Sequence, residues 1–186
     1  MNYDEGNKKI KLSGKLNKLH IFLRGGFIVP YQNTFNKYIL NTIKLREEKL
    51  NLIVNIDNFK KSKGVLFFDN DEANTIQNKE YIRVDLNYNE KKLSVNTNTN
   101  NMENYYYNDH IIGTIEFLRI NEILELNKAK GKDIIIKLII VYKEYKNKKK
   151  EIKKGIYDKE KNKVIFEISK NNEEISIFDI KEMLIN

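Results

Sequence analysis

Few residues in this chain have types and spacing that could do chemistry. Asp69, Asp71 and Glu72 form one tight acidic cluster, His20 and His110 are the two histidines, Arg24 precedes a pair of glycines, and Tyr105-Tyr106-Tyr107 sets three rings in a row. Read as a calcium loop, the cluster places Asp69 and Asp71 at positions one and three and Glu80 at twelve. Ala73 and Asn74 then stand where such a loop needs a ligand and a glycine. A polar turn after a buried strand fits better, and no metal site is expected. Neither histidine belongs to a nucleophile–base arrangement, so both are expected in the core or on the surface. Consecutive strand residues point to opposite faces, so the tyrosine run is expected to start a strand with one ring buried, not to form a flat platform for sugar rings.

Arg24 is expected to be a structural cation, bonding carbonyls or a carboxylate at the turn made with Gly25 and Gly26. Glycines there permit positive φ or close backbone approach, and Pro30, which lacks an N–H, is expected to close the strand that follows. The chain contains no cysteine, which excludes disulfides, zinc thiolates and thiol nucleophiles. No cofactor is implied.

The elements that must position these residues read as strands. One proline, eight glycines and eleven tyrosines in 186 residues, with isoleucine spread throughout, favour an all-β class. Lys8 to Leu12, Leu16 to Leu23 and Phe27 to Pro30 read as a three-strand meander. Phe35 to Arg46 has apolar residues at helical spacing and reads as a short helix or an ordered loop. Leu50 to Ile56 and Val65 to Phe68 read as an antiparallel hairpin, as do Tyr81 to Leu86 and Lys91 to Val95. Asn96 to Asn104 is Asn/Thr-rich and reads as a mobile loop. His110 to Ile120, Asp133 to Tyr142, Ile152 to Tyr157, Val164 to Ser169 and Glu174 to Phe178 complete the strands; Ile115 to Leu126 fits helix as well as strand.

Lysine and arginine outnumber aspartate and glutamate by 34 to 26, a net charge of +8. The excess is mostly lysine, densest from Lys143 to Lys154, where Glu144 and Glu151 interrupt it. Asn, Lys and Ile dominate the whole chain, so a general codon bias is a competing cause of the excess, and no nucleic-acid partner is expected without a base-reading motif. Met1 to Gly6 lacks a signal-peptide pattern. The longest apolar run, Ile134 to Tyr142, is broken by Lys137 and too short to span a bilayer, so no membrane partner is expected. The compartment stays open.

Several motifs agree in order with one family. Leu19 to Gln32 is similar to the Arg-Gly-Gly-x-Ile-x-Pro-x-Gln signature in the C-terminal region of glycoside hydrolase family 31, the α-glucosidases. Tyr3-Asp4 resembles the end of its Trp-Tyr-Asp-Tyr segment, and Thr42, Arg46 and Leu52 to Asp57 follow its next pattern. Gly64 to Glu72, with Thr75 to Asn78 and Tyr81, resembles its Gly-x-Leu-Phe-Trp-Asp-Asp-Gly-Glu segment. Gly113 to Phe117 and Val164 to Ile168 are similar to its last strands. Phe68 and Asp71 depart from it, replacing tryptophan and glycine.

The resemblance implies two small antiparallel β-sandwich domains, a proximal one at 1–67, incomplete at its N-terminus, and a distal one at 68–186. It implies a non-catalytic segment supporting a catalytic (β/α)8 barrel absent from this chain. Retaining glycosidases need two carboxylates about 5 Å apart across the scissile bond, and the family carries both on its barrel; no acidic residue here inherits that role. Arg24, Gly25, Gly26, Pro30 and Asp69 become structural positions, with no catalytic, substrate-binding or metal residue. The alternative is a stand-alone carbohydrate-binding or interaction module. An incomplete sandwich would expose an apolar face and an unpaired edge, so the isolated chain is expected to associate.

Overall fold

The computed structural model describes residues 12, 14, 17, 19–35, 37–69, 81–100, 110–124, 135–143, 150–169 and 174–186. Its strands are β1 (Phe27–Gln32), β2 (Leu50–Asn55), β3 (Lys61–Asp69), β4 (Tyr81–Asn89), β5 (Lys92–Asn100), β6 (Ile112–Leu118), β7 (Lys137–Tyr142), β8 (Lys150–Asp158), β9 (Lys163–Glu167) and β10 (Ile180–Ile185). Among the described residues, two short α-helices, α1 (Thr42–Arg46) and α2 (Asn121–Leu124), lie between them.

The all-β class holds, but the two-sandwich arrangement does not. The strands close into one mixed barrel in the order β1-β2-β6-β9-β8-β7-β10-β5-β4-β3. β2 pairs with β6 in parallel, β10 bridges β7 and β5 antiparallel, and β3 returns to β1. Each strand that would edge a sandwich sheet is instead satisfied by a strand from far along the chain, which removes the unpaired edge. β3 also runs without a break through position 67/68.

One continuous core fills the barrel. β4 alternates strictly, burying Ile82, Val84, Leu86 and Tyr88, because successive strand residues face opposite sides. Phe117 lies at the centre, its ring 5.5 Å from Tyr88 and 6.0 Å, edge-on, from Phe166.

Local readings differ from the structure in instructive places. In the expected meander, the second strand is replaced by irregular chain at 19–24, and the first, Lys8 to Leu12, lies outside the described residues but for Leu12. Pro30 sits inside β1, opposite Leu52. Past Phe27 the β1 ladder runs with β2, and the β3 contact is the single pair Phe27 with Lys63, so a missing N–H is tolerated mid-strand. β2 and β3 do not form a hairpin, because β1 lies between them. The β4–β5 hairpin does form, with a tighter turn than expected that uses Glu90 at φ 55. The Asn/Thr run is not a loop as far as Asn100: β5 continues through it, and the β4 ladder satisfies its backbone. Ile115 onward is strand to Leu118 and then the α2 turn. Ile177–Asp179 forms a 3-10 turn rather than a strand, and the last strand follows it as β10.

Burial pushes the Tyr88 phenol well above its ordinary value. Below pH about 10 the phenol is neutral whether folded or unfolded; above it, only the unfolded phenol ionises, so alkali favours unfolding. The melting temperature is expected to fall more steeply above pH about 10 than it does in Tyr88→Phe. Parallel pH profiles would contradict this.

Candidate functional site

Of the motif residues that are described, Gly25, Gly26 and Pro30 lie at or on β1, with Arg46 and Asp69 near its far end. The turn before it needs Gly26, which has φ +87 and donates its N–H to the Asn55 carbonyl at 2.8 Å. Asn55, nearly buried, donates from Nδ2 to the Leu23 carbonyl at 3.0 Å, and Ser62 Oγ donates to the Asn55 carbonyl at 2.8 Å. Asp57 closes the neighbouring turn by accepting from the Phe59 and Lys61 amides at 2.9 and 2.8 Å. Gly25 packs against the Ile56 carbonyl.

The carbonyl-bonding arginine at this turn is Arg119, whose Nη1 donates to the Ile56 carbonyl at 3.2 Å and Nη2 to Asn58 Oδ1 at 2.7 Å. Sequence reasoning missed it because it arrives from the end of β6. Arg24 is exposed, its guanidinium 5.8 Å from the centre of the Phe27 ring.

At the other end of β1, Gln32 donates from Nε2 to the Leu45 and Glu48 carbonyls at 2.8 and 3.0 Å, capping the C-terminal end of α1. Asn41 caps its start, accepting from the Lys44 amide. That five-residue helix delivers Arg46, whose Nη2 lies 3.0 Å from Asp69 Oδ1. Two motif positions 23 residues apart thus become an ion pair. Both side chains are more than a third exposed, so a double-mutant cycle on Arg46→Ala and Asp69→Ala should give a coupling of about 0.5 kcal/mol, at most about 1. A value several times larger would contradict this. Asp71, Glu72, Glu80 and the Tyr105–Tyr107 run lie outside the described residues. His20 is exposed; His110 stacks 4.0 Å from Phe68 and meets Phe178 edge-on at 5.5 Å.

Outward from this scaffold lies an apolar face. Phe27, Val65 and Phe67 are 39 to 50% exposed on β1 and β3, with Phe67 stacked 4.9 Å from Tyr81. Phe27 and Val65, with Leu23, Arg24 and Lys63, border a groove of about 760 Å³ whose other side carries Arg83 and Asp85. The irregular segment beside it carries Leu19, Ile21 and Phe22 into solvent, and Phe35, Tyr38, Leu40 and Ile43 are also exposed. A second cleft, about 690 Å³, is polar and lies between Phe35, Lys37, Glu48, Asn51, Thr114 and Ser169. Asn51 holds its floor: the β2–β6 register slips there, and Asn51 Oδ1 accepts from the Thr114 amide and hydroxyl at 2.9 and 2.8 Å. The carboxylates of Glu47 and Glu48 are engaged by Lys44 and Lys37.

No protein-family model matches the chain. Among solved structures it is similar to a chain of the ER glucosidase II heterodimeric complex, which consists of a catalytic subunit and the binding domain of a regulatory subunit. That likeness has TM-score 0.63 and 12% identity, over 88% of this chain. It is also similar to the glucosidase II alpha subunit bound to alpha3-Glc2, with TM-score 0.61 and 11% identity. The chain spans 17% of the length of each. At such identity the likeness is one of fold.

Proposed function

We propose that this chain is a non-catalytic supporting module of an α-glucosidase-like glycoside hydrolase, packing against a catalytic (β/α)8 barrel carried on other residues. The observation that carries the reading is the apolar face of Leu23, Phe27, Val65 and Phe67, placed by the same turn and strands that bear the motif residues. Exposed aromatic and branched side chains in one contiguous patch favour burial against another protein surface. The fold likeness to a small part of glucosidase II chains supports the same direction.

In this reading Gly25, Gly26 and Pro30 shape the presenting strand, the Arg46–Asp69 pair braces α1 beside it, and Arg24 meets a carboxylate of the barrel. The alternative of a stand-alone carbohydrate-binding module draws on the polar cleft beside the exposed Phe35 ring.

Tagged chain isolated from its source cells is expected to co-elute with aryl α-glucosidase activity, while the recombinant chain has none. Val65→Asp, at a half-exposed site, should separate the chain from that activity without lowering its melting temperature. Activity eluting wholly apart from the wild-type chain would sink the reading. Saturable maltooligosaccharide binding to the recombinant chain would favour the alternative.

A further inference from the structure

β8 is turned against its own composition. Its exposed side presents Ile152 and Ile156, 60 and 64% exposed, while Glu151 and Lys153 turn inward. There Glu151 Oε1 pairs with Lys153 Nζ at 2.5 Å, and Glu151 Oε2 accepts from the Tyr142 hydroxyl at 2.6 Å. A strand that gives solvent both its isoleucines, beside Lys150 and Lys154, while it turns Glu151 and Lys153 inward departs from the pattern that normally sets register.

The ladder extends the exposed side into rows. Leu184, Ile139 and Ile152 line up across β10, β7 and β8, and Ile156 and Ile165 line up across β8 and β9. Between these apolar rows Lys137 stands directly opposite Lys154, and both are exposed. Like charges directly opposite destabilise a ladder. Among the described residues, no carboxylate forms an ion pair with the Lys137, Lys150 or Lys154 ammonium; the β8–β9 register sets Glu167 beside Lys154, which leaves Lys137 as the cation with no carboxylate on a neighbouring side chain of its row.

We propose that the outer face of β7–β8–β9 is a second docking surface, whose occupant is an apolar protein segment carrying a carboxylate onto the Lys137–Lys154 pair. Row order decides the kind of occupant. A lipid surface tolerates cations at the rim of an apolar patch, where they reach headgroups, but here the ammonium pair lies in the middle. A second copy apposed about a two-fold axis through the pair would set lysines against lysines. A carboxylate flanked by apolar side chains satisfies both rows and the charge between them. This surface is separate from the β1–β3 face and does not depend on the function proposed for it.

The test compares the assembly isolated from source cells with the purified chain. Lys137, Lys150 and Lys154 are expected to acetylate at least severalfold more slowly in the assembly. Carbodiimide should couple Lys137 or Lys154 to an aspartate or glutamate of a different polypeptide. Ile152→Ser with Ile156→Ser should reduce that coupling about tenfold or more, the size expected when two buried aliphatic contacts are lost. Lys137→Gln should abolish coupling at that position without lowering the melting temperature, because it removes one of two like charges facing each other across the ladder, so lost coupling cannot be put down to misfolding. Equal acetylation in both samples would overturn the proposal. So would coupling to a second copy of this chain, or protection that disappears on delipidation with no coupled carboxylate.

Discussion

Replacing Gly64 by alanine is expected to destabilise the barrel by about 3 kcal/mol, the upper part of the range for overpacking. A Cβ on Gly64 would lie 2.5 Å from the Ile28 carbonyl oxygen and 2.9 Å from Ile28 Cβ. The obstacle is largely backbone, so no rotamer change relieves it. It also lies at the weakest join of the ring, where β3 meets β1 through one register pair and the bond from the Lys63 amide to the Gly26 carbonyl at 3.1 Å. Opening that seam would loosen the groove face as well. Gly14, with nothing within 4 Å of its Cβ position, is the control and should accept alanine without loss. Denaturant midpoints check both; a Gly64→Ala midpoint equal to wild type would mean that the seam is not closed this way.

Phe117→Ala should cost about 3–5 kcal/mol, as for other buried phenylalanines. Phe117 is fully buried on β6, the strand that joins β2 in parallel on one side and β9 on the other. Its ring fills the space between Tyr88 and Phe166, so truncation removes both aromatic contacts and leaves a cavity that strands pinned on two sides cannot collapse. Urea unfolding measures the loss. A cost near 1 kcal/mol, the size for a side chain at the margin of a core, would place Phe117 outside the centre.

Parts of the candidate site were legible in the residues. Gly26 announces a backbone that only glycine adopts readily, and it occupies one at φ +87. Asp69 and Arg46 stand out through the motifs they resemble, yet that they pair with each other depends on a helix that Gln32 holds from another strand. Arg119 carries no signal of its own, because the carbonyl it bonds is 63 residues away. Arg24 is marked as a structural cation by the glycines beside it, whereas the bonds to the Ile56 carbonyl and Asn58 at this turn come from the partly buried Arg119.

The amino-acid sequence by itself determined the all-β class, most strand positions and the β4–β5 hairpin. These follow from side-chain alternation and turn chemistry, which act within a few residues. Only the tertiary structure decided that the strands close one ring rather than two sandwiches, that β1 lies between β2 and β3, and which side of β8 faces out. Those choices depend on edges and apolar faces finding partners far along the chain. An alternating pattern shows that a strand has two faces but not which distant strand will cover either of them.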